Sequence, residues 1–589
     1  MRTKILWIVI LLSQLQIYGG VPYPQTHQPS SPYFMKQINF QSILLKTFGP
    51  DISGIVMDKY SDMSWNPAFI LSSSENGIYM DFNYSISRPS YYKYYHSGEY
   101  NNVVPNWYRG TSINSLQTDP LYNFAYVQKI NPKISIGIIN RSLFDYGPFR
   151  SSSNWRDYNF GTNQIFYDSK AYEDLESKTV EVNKNQQTLW GAQTKVSLAY
   201  KLSPKIDLGI KFGHYIFRRW GDLNDSKYSK QPHSLIDNLS DENFTINGDH
   251  FEFGGGLLYH FDEKTNLGFF VSLMKGTAAE DNKSLDNSEY WSERAIDTDY
   301  YSINKYNLSA NNAYSSDGSS PFFTLTFQKE ISSDFILRSF FSYRQNKNSI
   351  SGTVLSTDTS YTDRTFDSRK YNTNTWFFTR EEQFGGAKST LNGSGEEDNK
   401  SYKWFASLIY KSNNTWSAFA ALILKRNSRN LEYSENSTYY RDTFSQRYFY
   451  NPGTSGDYFS FIKNYRYSYN SKVWSATIPV GIKANIIDGF SLLIGTDLRF
   501  NLIEVKESGN MLYPQKIRRV TKNGEIITEE IETDRPETYN SDRPKVFNKS
   551  SAIHLGAFYE HKSGIKIYVR TSGDILDKNS WTFGVEYVF

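Results

Sequence analysis

Eight histidines and a few acidic clusters are the residues with which this chain could make or break bonds or hold a metal. The histidines are His27, His96, His214, His233, His250, His260, His554 and His561. A zinc hydrolase needs two histidines four apart on a helix with a glutamate between them. No pair here has that spacing. His554 and His561 are seven apart on an expected strand, so they point to opposite faces. Asp249-His250 is an acid next to an imidazole, the raw material of a hydrolytic site on a barrel rim, but no nucleophile accompanies it. No Gly-x-Ser-x-Gly stands in the strand-to-helix setting that exposes a serine nucleophile. Gly254-Gly255-Gly256 lacks the Lys-Ser/Thr of a phosphate loop and reads as a bend or close-packing point in a strand. Glu280-Asp281 and Glu396-Glu397-Asp398 lack the regular spacing of a calcium loop and read as solvated charge. With no cysteine there is no thiolate nucleophile, thiolate metal site, disulfide or lipid-anchored cysteine. The expectation is of no enzyme, with no metal and no cofactor.

The elements that carry these residues must therefore do something other than catalysis. The chain has 589 residues, 64 Lys+Arg against 61 Asp+Glu, and a formal net charge of +3. Such balance gives nucleic acid nothing to bind. There are 46 Tyr, 40 Phe and 12 Trp, yet only 39% of residues are hydrophobic and the mean hydropathy is −0.58. So many rings argue against disorder. After the N-terminus no run of about 18 apolar residues occurs, which excludes a helical membrane protein. An all-β chain with aromatic surfaces remains, and outer-membrane barrels have that profile.

The period of the sequence supports this. Ile78, Met80, Phe82, Tyr84 and Ile86 alternate with polar residues, as do Ile206, Leu208, Ile210 and Phe212, and Ile478, Val480, Ile482, Ala484 and Ile486. Positions i and i+2 share one face of a strand, so each stretch has a greasy side and a polar or small side. Seven connections are tight: Asn131-Pro132, Ser203-Pro204, Asp262–Asn266, Ile331–Asp334, Ser412–Asn414, Ile487–Gly489 and Lys562–Gly564. Seven others are long and rich in Tyr, Asn, Ser and Asp: 88–120, 144–194, 218–249, 276–319, 346–401, 427–471 and 505–549. Strict alternation of short and long connections predicts a transmembrane antiparallel up-and-down β-barrel. It would have about sixteen strands (fourteen at the least), with short periplasmic turns and long extracellular loops. Inside the last loop, Asn523-Gly524 predicts a hairpin with Arg518 opposite Glu529 and Lys522 beside Glu525.

Met1, Arg2 and Lys4 precede the apolar run Ile5–Leu12, and Gly19-Gly20 follow. This predicts a signal peptide over 1–20 and export to the bacterial outer membrane. The reading is then a signal peptide at 1–20, a periplasmic or plug segment at 21–76, and the barrel at 77–589. The chain ends on Trp581, Phe583, Val585, Tyr587 and Phe589, alternating with Thr582, Gly584, Glu586 and Val588. That ending resembles the C-terminal signal read by the outer-membrane barrel assembly machinery. The expected partners are that machinery and the lipid bilayer.

Just before the first strand stand Asp58, Ser61, Trp65, Asn66, Pro67 and Ala68. In order and spacing they resemble the segment joining plug to barrel in the FadL-type long-chain fatty-acid transporter family. The chain departs from that pattern at Phe69, where a glycine is usual. Only Gly49 and Gly54 stand in place of the upstream glycine-rich stretch. The resemblance implies a plugged barrel and a hydrophobic small-molecule ligand. The residues by themselves predict that Pro67 forces Asn66 into an extended conformation, that Asn66 forms an Asx turn, and that Trp65 wedges against the wall. An interaction or secretion-associated barrel, whose Tyr/Asn/Ser-rich loops bind a partner, is the competing reading.

Overall fold

A computed structural model describes residues 40–48, 52–72, 75–83, 122–147, 164–172, 175–231, 234–293, 300–367, 378–411, 416–449, 452–542, 545–571 and 581–589. The expected signal peptide, the connection at 88–120 and the turn at Ser412–Asn414 lie outside the described residues.

Strands dominate. In chain order they are β1 (Gly77–Asn83), β2 (Tyr122–Asn131), β3 (Ile134–Gly147), β4 (Gln164–Tyr172), β5 (Leu175–Ser203), β6 (Ile206–Gln231), β7 (Ser234–Asp262), β8 (Thr265–Glu293) and β9 (Tyr300–Glu330). They continue as β10 (Phe335–Asp367), β11 (Phe378–Lys411), β12 (Trp416–Phe449), β13 (Gly453–Ile487), β14 (Phe490–Lys522), β15 (Glu525–Asp542), β16 (Val546–Glu560), β17 (Ile565–Thr571) and β18 (Trp581–Val588). Every pairing between them is antiparallel, and β1 pairs with β2 on one side and β18 on the other. The sheet is therefore closed into a ring, with β1 and β18 paired to each other rather than left as edges. β3 and β4 lie end to end against β5, and β15 and β16 lie end to end against β14. Eighteen segments thus occupy sixteen positions of one ring, as the alternation of connections predicts.

The tight turns share a device. Asn131 Oδ1 accepts from the backbone of Lys133 (2.8 Å) and Ile134 (2.9 Å), Asp262 Oδ1 from Lys264 N (2.7 Å), and Ser203 Oγ from Lys205 N (3.2 Å). Short polar side chains close these turns onto their own backbone. Gly489 and Gly564 supply the positive φ that two others need.

At the opposite end the structure revises the expectation of irregular loops. β10 and β11 pair without a break from Phe335↔Tyr410 to Asp367↔Phe378, and β11 pairs with β12 from Lys411↔Ser417 to Thr379↔Phe449. A bilayer crossing needs only about ten residues. β13 has 35 residues, so much of its length lies beyond the membrane as ribbon. The hydrophobic period vanishes there because both faces are wet, but ladder bonds need no apolar face. The Thr, Tyr and Ser of these stretches suit a pleated surface or tolerate it. The expected hairpin between β14 and β15 is present, with Lys522 opposite Glu525. Beyond a bulge at Ile527 the register slips by one, so Glu529 faces Arg519 and Arg518 faces Glu530. A bulge places two residues opposite one, and turn type alone does not reveal it.

Around the turn end, outward residues are apolar and exposed: Val196, Leu198, Leu202, Ile210, Phe212, Phe253, Val271, Leu408, Leu492 and Ile567 among them. Trp190, Trp220 and Trp474 stand exposed toward the far edge of this band, with Tyr200, Tyr559 and Tyr587 nearer the turns. An apolar belt flanked by aromatic girdles is what lipid requires of a barrel wall.

Inside the ring at the same level sits the segment preceding β1. It contains helix α1 (Ile43–Lys46), helix α2 (Lys59–Trp65) and a 3-10 turn over Pro67–Ser72. Phe40, Ile43, Leu45, Ile52, Ile55, Met63 and Trp65 are buried in one cluster with inward wall residues such as Phe270, Phe405 and Phe419. This segment is a plug.

Candidate functional site

The plug is built around two helix caps. Ser42 caps α1, and Asp58 caps α2 by accepting from Ser61 N (2.7 Å). Ser42 Oγ donates to Asp58 Oδ2 (2.7 Å), which ties the two caps together. Trp65 Nε1 donates to Ser53 Oγ (2.7 Å), and Ser53 also bonds Ser61. Burial pushes the Asp58 carboxyl up to about 6, against the hydrogen bonds from Ser42 and Ser61 that favour its charge. Burial also raises Asp62, with Arg338 opposing.

The plug reaches the wall on nearly every side. Asn66 is extended, and its Oδ1 accepts from Ala68 N (3.0 Å) in an Asx turn. Its Nδ2 donates to Leu257 O (3.1 Å) and Phe269 O (3.2 Å) on β7 and β8. Those bonds require bare backbone opposite. A side chain at Gly256 would strike Asn66, and one at Gly209 would strike the backbone of Pro67 and Ala68. Close packing is therefore the role of the third residue of the triple glycine. The Trp65 ring meets Phe340 edge-on at 4.5 Å. Asp62 pairs with Arg338 (3.1 Å) on β10, and Lys46 with Asp81 (3.1 Å) on β1. Ser407 Oγ on β11 donates to Ile55 O (2.9 Å). Tyr60 donates to Glu586 (3.2 Å) on β18, which also accepts from Tyr568 (2.8 Å).

All six motif residues, Asp58, Ser61, Trp65, Asn66, Pro67 and Ala68, thus lie within the plug. The C-terminal residues lie elsewhere: Phe583, Val585, Tyr587 and Phe589 are exposed on the outer face, while Glu586 is buried and faces the lumen. Asp249 and His250 are parted by the wall. Asp249 pairs outside with His214 (2.9 Å), and His250 is buried inside against Phe217. Glu397 is buried and pairs with Arg429 (2.6 Å). Among the described residues no cluster of His, Cys, Asp or Glu could hold a metal.

Above the plug, toward the ribbons, the lumen holds a cavity of about 1290 Å³. Its waist is one continuous rung of register partners across β6 to β14. In order they are Phe217, Gly248, Ala278, Ser316, Ile350, Gly395, Tyr433, Tyr467 and Gly509. Gly248 and Gly395 receive the Phe217 and Tyr433 rings against bare backbone, and Phe217, Ala278, Ile350, Tyr433 and Tyr467 are buried together in one cluster. Tyr467 also donates to Glu507 (2.5 Å), so the wall is polar between its rings. The cavity lining is mixed, with the Phe217, Tyr433 and Tyr467 rings set among polar and charged residues such as Arg218, Glu432 and Arg466.

The sequence reading missed this rung and the charged groups beneath it, Lys195, Glu252 and Arg344. Parity was the available signal: Lys195, Lys211 and Glu252 each fall on the inward face of an alternating strand. The rung itself depends on register through nine strands, and no single segment encodes that.

No protein-family model matches the chain, and no curated protein matches it. Among solved structures it is similar to a FadL homologue of Pseudomonas aeruginosa, at 10% identity over 91% of this chain and 95% of that one, with a TM-score of 0.25. It is also similar to the ferric yersiniabactin uptake receptor FyuA of Yersinia pestis, at 8% identity over 87% and 80%, TM-score 0.22. A third is the ferripyoverdine receptor of the outer membrane of Pseudomonas aeruginosa, at 9% identity over 88% and 72%, TM-score 0.19. Likeness at this level carries no argument, and the barrel rests on its own ladders.

Proposed function

We propose that this chain is an outer-membrane transport barrel that passes small amphipathic molecules past its plug. In this reading residues 1–20 are an export signal, and the barrel assembly machinery recognises the strand ending at Phe589. The observation that carries the transport reading is a cavity with both rings and polar groups in its wall, directly above a plug that fills the lumen. A wet general pore would have no need of either. Fatty-acid-like compounds, the class implied by the Asp58–Ala68 resemblance, form the apolar end of this class. One feature favours them. The ladder between β12 and β13 is interrupted where Ala421 and Leu422 pass Ile478 and Pro479, since proline has no N–H to give. A weakened seam within the apolar band offers an apolar solute a sideways exit.

The test is uptake into liposomes by the purified full chain, with laurate and an aryl glycoside as solutes. Ala278→Trp fills the cavity from its wall and should reduce uptake to the level of empty liposomes. Undiminished uptake by a folded Ala278→Trp barrel would remove the cavity from the route. Uptake of laurate alone would narrow the reading to hydrophobic compounds.

The competing reading, a barrel that binds a partner, has its own support. Tyr306, Leu355, Phe384, Tyr440 and Phe444 are exposed on the ribbons beyond the apolar band. Wild-type liposomes that take up neither solute would favour it.

A further inference from the structure

Beneath the waist of the cavity, the inward face of β5 descends through Gly191, Gln193, Lys195 and Ser197. Gly191 is the register partner of Phe217, so it stands on the waist itself. Gln193 is one inward position deeper and Lys195 two. Both are almost completely buried, at 1% and 3% exposure. Neither the Gln193 amide nor the Lys195 ammonium has a hydrogen-bond partner among the described residues. Burying such groups unsatisfied costs free energy, steeply so for a charge.

The surroundings explain what they lack. The charges that bear on the Lys195 ammonium are Lys211, Glu252, Arg344 and Arg141. Of these four only Glu252 is an acid, and its carboxylate is already engaged. Glu252 accepts from Lys211 (2.9 Å), from Ser272 (2.7 Å) and from Tyr215. The Lys195 Nζ stands over the Tyr215 ring, 5.8 Å from its centre. The Arg344 guanidinium lies over the Phe322 ring at 4.3 Å. A closed barrel interior with this excess of positive charge is complementary to an anion, and a carboxylate or phosphate would satisfy ammonium, amide and guanidinium donors together.

We propose that Gln193, Lys195 and Arg344 form an anion site below the cavity, and that it receives a carboxylate or phosphate group of the transported molecule. The assignment of that group to a transported solute rests on the transport reading above; the anion site itself does not. The cavity holds the ring or apolar part, and the site below it holds the charge.

Three probes separate these contributions in calorimetric titrations of the detergent-solubilised full chain: phenyl phosphate, inorganic phosphate and benzyl alcohol. The wild type should prefer phenyl phosphate to benzyl alcohol. Lys195→Met should reduce phenyl phosphate affinity about ten- to a hundredfold, the worth of a hydrogen bond to a charged group. Arg344→Gln should weaken it in the same direction, and Lys195→Arg should retain it. The retention by Lys195→Arg separates loss of charge from loss of fold. If inorganic phosphate binds and loses affinity in Lys195→Met while benzyl alcohol does not bind at all, the anion site stands and the cavity reading fails. If phosphate binding is absent, or indifferent to both Lys195→Met and Arg344→Gln, the proposal is overturned.

Discussion

The two halves of the lumen are made by the same strands with the same alternation, yet one is filled by the plug and the other by the wall's own side chains packed around a cavity. Near the turns, inward glycines such as Gly209 and Gly256 let a foreign segment lie against bare backbone, and buried ion pairs such as Lys46–Asp81 and Asp62–Arg338 fix it there. Further up, inward glycines such as Gly248 and Gly395 meet no such segment and receive rings of the wall itself, Phe217 and Tyr433. Glycine on the inner face of a barrel therefore says that something comes close, and the neighbouring residues decide what. Ion pairs between plug and wall mark the lower half, and tyrosines from adjacent strands mark the upper one.

The largest effect should come from erasing the difference. Deletion of residues 40–72 should turn a nearly closed barrel into an aqueous channel, since sixteen strands without a plug enclose a water-filled lumen. Single-channel recording in planar bilayers reads this directly, and unchanged conductance would mean that the upper half is the barrier.

Next is Asp62→Ala, which leaves Arg338 buried without its carboxylate. Breaking such a pair from one side costs about 3–5 kcal/mol. Denaturant titration should show it, and Asp62→Leu with Arg338→Met should recover most of the loss. If the double variant is no better than the single one, the cost is one of packing.

A smaller effect should follow pH. The Asp58 carboxyl is held up to about 6 in the folded plug by burial, with Asp62 and Glu586 adding repulsion and the Ser42 and Ser61 hydrogen bonds opposing. The folded state thus holds its proton more tightly than the unfolded chain does. The stabilisation is complete below about pH 4 and is lost as pH rises to about 6, at most about 3 kcal/mol in all. Protection factors of the α2 amides should fall across that window and level off above it. Asp58→Asn should flatten the profile, and wild-type protection that grows with rising pH would contradict the sign.

The smallest concerns the ribbons. Arg519 and Glu529 pair across β14 and β15 in water. Arg519→Ala should change stability by less than about 1 kcal/mol, and a larger loss would show that the ribbon supports the barrel.

What could be read in advance follows the range of the interactions. Alternation and turn chemistry act within a few residues, so Ile206–Phe212 and Asn131-Pro132 declared their roles, and with them the closed barrel. The Asx turn at Asn66 was legible for the same reason, being two residues long. The plug's anchors were not, because Tyr60 reaches Glu586 across 526 residues. Nor were the ribbons beyond the membrane, where water on both faces removes the hydrophobic period that identifies a strand. Lys211 alternates with Ile210 and Phe212 as a charge on the small-residue face, but only the fold gathers it with Lys195, Glu252 and Arg344.

The seam where β1 meets β18 has a further consequence for how the molecule comes into being. Most wall contacts join neighbours in a meander and can form as each hairpin arrives. Gly77 opposite Val588 is different, since the loop it closes is nearly the whole chain. Such long-range pairings are formed late and slowly. The plug precedes β1 in sequence but packs against strands on both sides of that seam. It must therefore wait, its apolar helices without their final partners, until the last strand is delivered. A chaperone acting during assembly would have most to protect at the segment that precedes β1, and release from it should coincide with closure of the ring.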